Sequence, residues 1–452
     1  MVRRTEVRHP YASREGEADA DALLRLAARS LTHVLDAAGT RAAGNIAGVG
    51  VSTFWHGLLG ADDAGRALTP VYLWSDTRSA AASERLRARL DAEAVRQRTG
   101  CPIHSSYWPA KLAWLRAARP ELWRRPVRWV SLGDLFFWQL FGRLGTSLSM
   151  ASGTGLLRLG RPRWDEKLLS VLEVAEASLP PIAESDRGLL PRHRRAWPAL
   201  ADVPWFHALG DGALANLGSG CTVASRRAVT IGTTAAMRVV HPAGVGAELP
   251  EGLWRYRLDG ARLVTGGALS SGGNLREWLD ATLRVGGPGL ERRLRAMAPA
   301  RHGLTVLPHF AGERGPGYAA HAFGAIAGLT LSSTAEEIFQ AGLESVAIEL
   351  ARISRRLDAV APRATRLVAS GGAMGRSPAW MQMVADATAR PVEPGWLEAS
   401  SRGAAVYVLE RLGLGGAVGG GAGRVYRPRA SAVRAFAEAQ RRQEVLYKAL
   451  IK

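Results

Sequence analysis

The chain has 452 residues, too many for one compact core, which predicts two domains. Its two cysteines, Cys101 and Cys221, exclude a disulfide framework and the usual cysteine-rich zinc sites, and they fit a reducing cytoplasm. The net charge of +19 raises nucleic acid as a partner, but lysine occurs only at 111, 167, 448 and 452 and the arginines are scattered. A solvated basic surface without a nucleic-acid partner is therefore the reading. No apolar run is long enough for a bilayer, and the charged start has no apolar signal region, so no membrane is expected.

In chain order, ADADALLRLAARSLTHVLDAAG has helical spacing of apolar residues. NIAGVGVSTF then reads as a strand, and DTRSAAASERLRARLDAEAVRQR as another helix. The stretch LGDGALANLGSG places Asp211 between Gly210 and Gly212, an acid among residues of little bulk. Burying an unpaired charge is costly, so this acid is expected at the floor of a cleft, open to a ligand. The composition shifts near Cys221, predicting domains at 1–224 and 225–452. RRAVTIGTTAAMRVV reads as two strands around a tight Gly-Thr-Thr turn, and ARLVTGGAL as a further strand. TAEEIFQAGLESVAIELARISRRL carries a capping box, Thr334 with Glu337. TRLVASGGAM is a strand running into a double glycine before the helix SPAWMQMVADATA. A glycine-rich loop at 412–424 and the helix ASAVRAFAEAQRRQEVLYKAL close the chain. Strands separated by helices predict an α/β protein with partly parallel sheets. Glycine turns after strands can face phosphate, although turns need glycine on steric grounds alone.

Taken in this order, the segments resemble the FGGY carbohydrate kinases of the two-domain, actin-like (ribonuclease H-like) ATPase fold. The resemblance runs from about His9 to the C-terminus. VGVSTFWHGLLGADDAGRALTPVYLWSDTRS is similar to the family's sugar-binding stretch, and the Asp211 segment to its catalytic-base loop. VTIGTTAAMRVV resembles its second phosphate motif, and LVASGGAMGRSPAWMQMVADATARPV its adenosine motif. YWPAKLAWL, SMASGTGLLRL, LPHFAGERGPGY and GAIAGLTL fall where similar segments are expected. Within the family the pattern is most like that of gluconate kinases, with Ser270–Ser271 standing where two asparagines are more usual. Xylulose or another pentulose is the rival substrate.

The resemblance implies an ATP- and Mg2+-dependent, cytoplasmic sugar or sugar-acid kinase acting in a cleft between its domains, with a homodimer as a further expectation. It implies that Asp211 removes a proton from the sugar hydroxyl, with Gly212 beside it at the substrate. Trp55 and His56 are candidates for the sugar, and Asp76 and Arg78 for an ion pair shaping the cleft wall. Lys111 is read as a surface lysine rather than a contact to a substrate carboxylate. Gly232, Thr233 and Thr234 would hold phosphate. Gly266 and Gly267 would approach ribose or phosphate, and Gly371, Gly372 and Ala373 would lie against the nucleoside near the helix that starts at Ser377. Family members begin with a strand, an Asp-x-Gly-Thr turn and a second strand, a hairpin that holds phosphate and positions magnesium. This sequence has no such segment, since LDAAGTR at 35–41 ends a helix. The expectation is a first domain shortened at its N-terminus, with an exposed sheet edge and weak activity, and a longer functional product. A catalytically inactive sugar- or nucleotide-binding relative is the alternative.

Overall fold

The computed structural model describes residues 16–452 except 224, 245–247, 288, 320, 397, 416–420 and 422, with backbone only at 40–43. The chain divides into two compact units. The first holds the described residues up to Leu214 together with Tyr256–Ala261 and the described part of 404–416. The second holds Ala215–Arg255, Arg262–Gly403 and the described part of 417–452.

In the first unit, helix α1 (Ala20–Ala43) is broken by non-helical Gly39, whose φ is 72°. Strand β1 (Val49–Thr53) follows. Where one helix was expected after Asp76, two form, α2 (Ala80–Arg89) and α3 (Ala92–Thr99). Asp91 takes extended backbone between them and caps α3 by accepting from Ala94 N. Helix α4 (Trp108–Ala118) follows Tyr107, and the short α5 (Leu148–Gly153) is capped by Ser147. Strand β2 (Ser185–Asp186) runs antiparallel to β3 (Trp205–Gly210), and β1 runs parallel to β3. Among the described residues the order is β1-β3-β2, with β1 at an edge, and all five of its residues are partly exposed. Strand β3 is buried throughout, with Trp205 edge-on to Phe137 and Phe141. It leads directly into helix α6 (Asp211–Gly218).

The second unit is built on a six-stranded sheet, of which Tyr256 and Arg257, at the end of one outer strand, count with the first unit. Its strands are β4 (Arg226–Ile231), β5 (Ala235–Pro242), β6 (Trp254–Arg257), β7 (Arg262–Leu269), β8 (Arg366–Ser370) and β9 (Val392–Pro394), in the order β6-β7-β5-β4-β8-β9. β4 and β5 form the expected antiparallel hairpin, and β4, β8 and β9 are parallel. Helix α7 (Ala335–Leu357) covers one face, burying Leu350 and Ile353 with Val229, Met237 and Val239. Its capping box is present in both directions: Thr334 Oγ accepts from Glu337 N, and the Glu337 carboxylate accepts from Thr334 N. Helix α8 (Pro378–Thr388) buries Trp380 in the same core, and α9 (Ala430–Leu450) ends the unit. Residues 416–420 and 422 of the loop at 412–424 lie outside the described residues. No helix among the described residues is long and apolar enough to cross a membrane.

Candidate active site

Asp211 stands at the junction where β3 becomes α6, and its side chain is exposed. Its Oδ1 accepts from the N–H of Gly212 at 2.7 Å, so the acid also caps its own helix. The flanking glycine does not do what the sequence suggests. A Cβ on Gly210 would lie 1.9 Å from Cε2 of Trp55, so the missing side chain admits an indole rather than a ligand. Trp55 is accordingly 6% exposed. Its Nε1 donates to Ser149 O at 3.1 Å, and Gly153 presses on the same ring. Trp55 is thus a floor under the Asp211 turn, not an open stacking surface.

His56 is also buried and sits in the left-handed region, with φ 69°. Its Nδ1 lies 2.6 Å from Gly153 O, which makes Nδ1 the protonated nitrogen and Nε2 the acceptor. Two rings absent from the sequence reading complete the group. Tyr107 packs edge-on to His56 at 4.7 Å, and Tyr256 edge-on to Trp55 at 4.9 Å. Both lie in stretches that stand out in the sequence, YWPAKLAWL and WRYRLDGARLVTGGALSSGGNLREWL, without either tyrosine being singled out. Lys111 is fully buried, not a surface lysine: Nζ donates to the carbonyls of His56 at 2.8 Å and Tyr72 at 3.1 Å. Asp76 and Arg78 form a bidentate ion pair, with Nη2 2.6 Å from Oδ2 and Nε 3.0 Å from Oδ1. Glu17 joins at 2.7 Å. The hydrogen bonds that the Arg78 guanidinium donates to Asp76 lead in raising its pKa, and the guanidinium lies over the Trp114 ring at 4.8 Å. With its partners inside this network, Arg78 shapes a wall rather than reaching for a ligand.

In the second unit the parallel strands β4 and β8 end side by side, and the glycine turns that follow them meet. A Cβ on Gly371, whose φ is 95°, would lie 2.5 Å from Ile231 O and 3.1 Å from Gly232 N. Parallel sheets commonly take ligands outside such carboxyl ends. Among the described residues nothing lies within 4 Å of a Cβ on Gly232, and the Arg376 guanidinium is what approaches one on Gly372. The Gly232 N–H, expected to hold phosphate, donates instead to Thr234 O at 3.0 Å within the turn. Thr233 is exposed and Thr234 partly so. Ala373 is buried in the core, facing Gly273. Gly266 and Gly267 are not in a turn at all: they lie inside β7, filled by Trp254 and Ile353. The glycines that do meet the Gly-Thr-Thr turn are Gly272 and Gly273, with Gly273 N donating to Gly232 O at 2.7 Å. The start of α8 is also taken. Ser377 Oγ caps it, and the Glu291 carboxylate accepts from Ser377 Oγ at 2.6 Å and from Ala379 N at 3.1 Å.

Among the described residues no three His, Cys, Asp or Glu side chains converge to hold a metal ion.

The chain is similar to known proteins over most of its length. The N-terminal domain of the FGGY family of carbohydrate kinases matches residues 4–218, and the C-terminal domain of the same family matches 228–408. A gluconokinase of Bacillus subtilis (strain 168) is 28% identical over 382 residues, 81% of this chain and 74% of that protein. A glycerol kinase of Aromatoleum aromaticum is 31% identical over 377 residues, 79% of this chain and 74% of that protein. A crystal structure of gluconate kinase from Lactobacillus acidophilus has a TM-score of 0.87 at 24% identity, covering 98% of this chain and 92% of that one.

Proposed function

The chain belongs to the FGGY family of carbohydrate kinases, and from that premise we propose that it transfers the γ-phosphate of ATP to a hydroxyl of D-gluconate, giving 6-phosphogluconate. Sugar kinase activity is the property of the family; the choice of gluconate rests on the likeness to gluconokinases and on an anionic substrate suiting a basic chain. The observation that carries the reading is the exposed carboxylate of Asp211, presented at a strand-to-helix junction whose floor is Trp55. In this reading Asp211 accepts the proton of the sugar hydroxyl as its oxygen bonds to the γ-phosphorus. The bond from that phosphorus to the bridging oxygen breaks, and ADP leaves with the electron pair. Residues 1–224 supply the sugar and base side, with Gly212 and His56 beside the substrate. Residues 225–452 supply the nucleotide side, with Thr233 and Thr234 at the phosphates and Gly371 and Gly372 towards the nucleoside. Magnesium comes with ATP and neutralises phosphate charge. The protein acts in the cytoplasm as a homodimer, with small-molecule partners only.

The test is ATP consumption with gluconate, xylulose, ribulose and glycerol in turn. Turnover preferring gluconate is the expected result; preference for a pentulose replaces the substrate and keeps the chemistry. Asp211→Asn is expected to lower kcat by about 10²–10⁴-fold while sugar still binds. An unchanged kcat removes Asp211 as the base.

A further inference from the structure

We propose that Tyr256 is a positioning residue for the sugar site, acting on substrate affinity through Trp55 and His56. The inference rests on the sugar-kinase reading above. Tyr256 is 1% exposed, and its hydroxyl lies 2.6 Å from that of Tyr107, which is 2% exposed. The Tyr256 ring stands edge-on to both Trp55 (4.9 Å) and His56 (5.6 Å), and Tyr107 closes the group against His56 at 4.7 Å. Three of the four rings precede Asp211 in the chain; Tyr256 alone follows it. It arrives on the Tyr256–Ala261 segment, which belongs to the first unit. That segment is fastened there by Arg257, whose N–H donates to Ser152 Oγ at 2.8 Å and whose Nε donates to Leu159 O at 3.1 Å.

The arrangement does more than fill space. Trp55 meets Tyr256 and also meets Gly210, the residue before the acid. One ring therefore separates Tyr256 from the backbone that aims Asp211. His56, held by Gly153 O through Nδ1, has its ring plane set by Tyr107 and Tyr256 together. The hydrogen bond between the two buried hydroxyls fixes the tyrosines relative to each other, since losing a buried hydrogen bond is costly. A residue so placed tunes how well the sugar is seated, not how ATP binds.

The experiment compares the intact protein with Tyr256→Phe, Tyr107→Phe, Tyr256→Leu and the double phenylalanine variant. Sugar KM, ATP KM, kcat and calorimetric sugar affinity are measured with gluconate, xylulose and glycerol, and folding is followed by urea unfolding. Tyr256→Phe is expected to raise the sugar KM roughly 3- to 10-fold, the range of one neutral hydrogen bond, with ATP KM within about twofold. Tyr107→Phe should match it, and the double variant should be no worse than either single one, because all three lose the same bond. Tyr256→Leu should weaken sugar binding further. Sugar KM and sugar affinity unchanged in all four variants, with only stability lowered, overturn the proposal and leave Tyr256 a core residue. A parallel rise in ATP KM overturns it as well. If the unaltered protein neither binds nor phosphorylates any of these sugars, the sugar-kinase reading falls first and this inference falls with it.

Discussion

Replacing Gly210 by alanine tests whether the floor beneath Asp211 is built as the geometry says. The added Cβ would lie 1.9 Å from Cε2, 2.2 Å from Nε1 and 2.3 Å from Cδ2 of Trp55. Ordinary carbon contacts are about 3.5–4.0 Å, so ring or strand must give by about 1.5 Å. The ring has little room. Its Nε1 is tied to Ser149 O, Gly153 presses on it, and Tyr256 stands edge-on to it. The displacement therefore falls on the end of β3, where Gly210 pairs with Thr53 and its N–H donates to Ser149 Oγ. Overpacking of this kind costs about 1–3 kcal/mol of stability, and about 1 Å of misplacement at a reacting group costs roughly 100-fold in rate. The assay is kcat at saturating sugar and ATP, with urea unfolding in parallel, in Gly210→Ala, Trp55→Leu and the double variant. The alanine should be nearly free of cost in the Trp55→Leu background, giving a stability coupling of about 1–3 kcal/mol. The same loss in both backgrounds, or no loss in either, refutes the contact as the reason for glycine here.

Three further outcomes follow from named contacts. Lys111→Met keeps the buried stem but strips two carbonyls of their donor; it should cost roughly 2–4 kcal/mol in urea unfolding, and a loss under about 0.5 kcal/mol contradicts the buried role. Burial, reinforced by Arg255, pushes His241 down to about 4, so the folded protein resists a proton that the unfolded chain takes up near pH 6.5. Its contribution is therefore complete above pH 6.5 and is lost as pH falls towards 4. Urea midpoints should show on the order of 2–3 kcal/mol lost by pH 4.5, and a flatter slope in His241→Gln; equal slopes count against it. Gly232→Ala should raise ATP KM roughly tenfold or more with stability unchanged, whereas Gly267→Ala should cost about 1–3 kcal/mol of stability with ATP KM unchanged, the reverse pattern showing that the two glycines are misassigned.

The elements were legible wherever a local pattern decides them. The Thr334 capping box, the β4–β5 hairpin and the last helix all follow from residues within a few positions of each other. The reading failed where a single residue overrode a periodic pattern, as Asp91 does in breaking one expected helix into α2 and α3. In the candidate site the exposure of Asp211 was legible, because burying an isolated carboxylate among small residues is costly. Its surroundings were not. Tyr256 lies 45 positions beyond Asp211, and its segment WRYRLDG does not say which ring it meets; Lys111 looks like any surface lysine until its two carbonyl acceptors are known.

Glycine shows most clearly why the sequence stopped short. A missing side chain reads the same whether the space is left for a ligand or taken by a neighbour, and only what a Cβ would touch separates the two. At Gly210 it would meet an indole, at Gly267 the side chain of Ile353, and at Gly266 Met237 O and the side chains of Arg238 and Trp254. These glycines serve close packing, in which interiors leave few voids. Among the described residues it would meet nothing within 4 Å at Gly232, and at Gly372 the end of a flexible arginine. Both of these lie at the carboxyl ends of parallel neighbours, beside a Gly371 whose positive φ brings the two turns into contact. Motif spacing selected all of these glycines alike, whereas packing divides them into those that hold the sheet together and those that leave its edge open. In the proposed reading the open ones leave room for a phosphate chain to lie against backbone beyond β4 and β8.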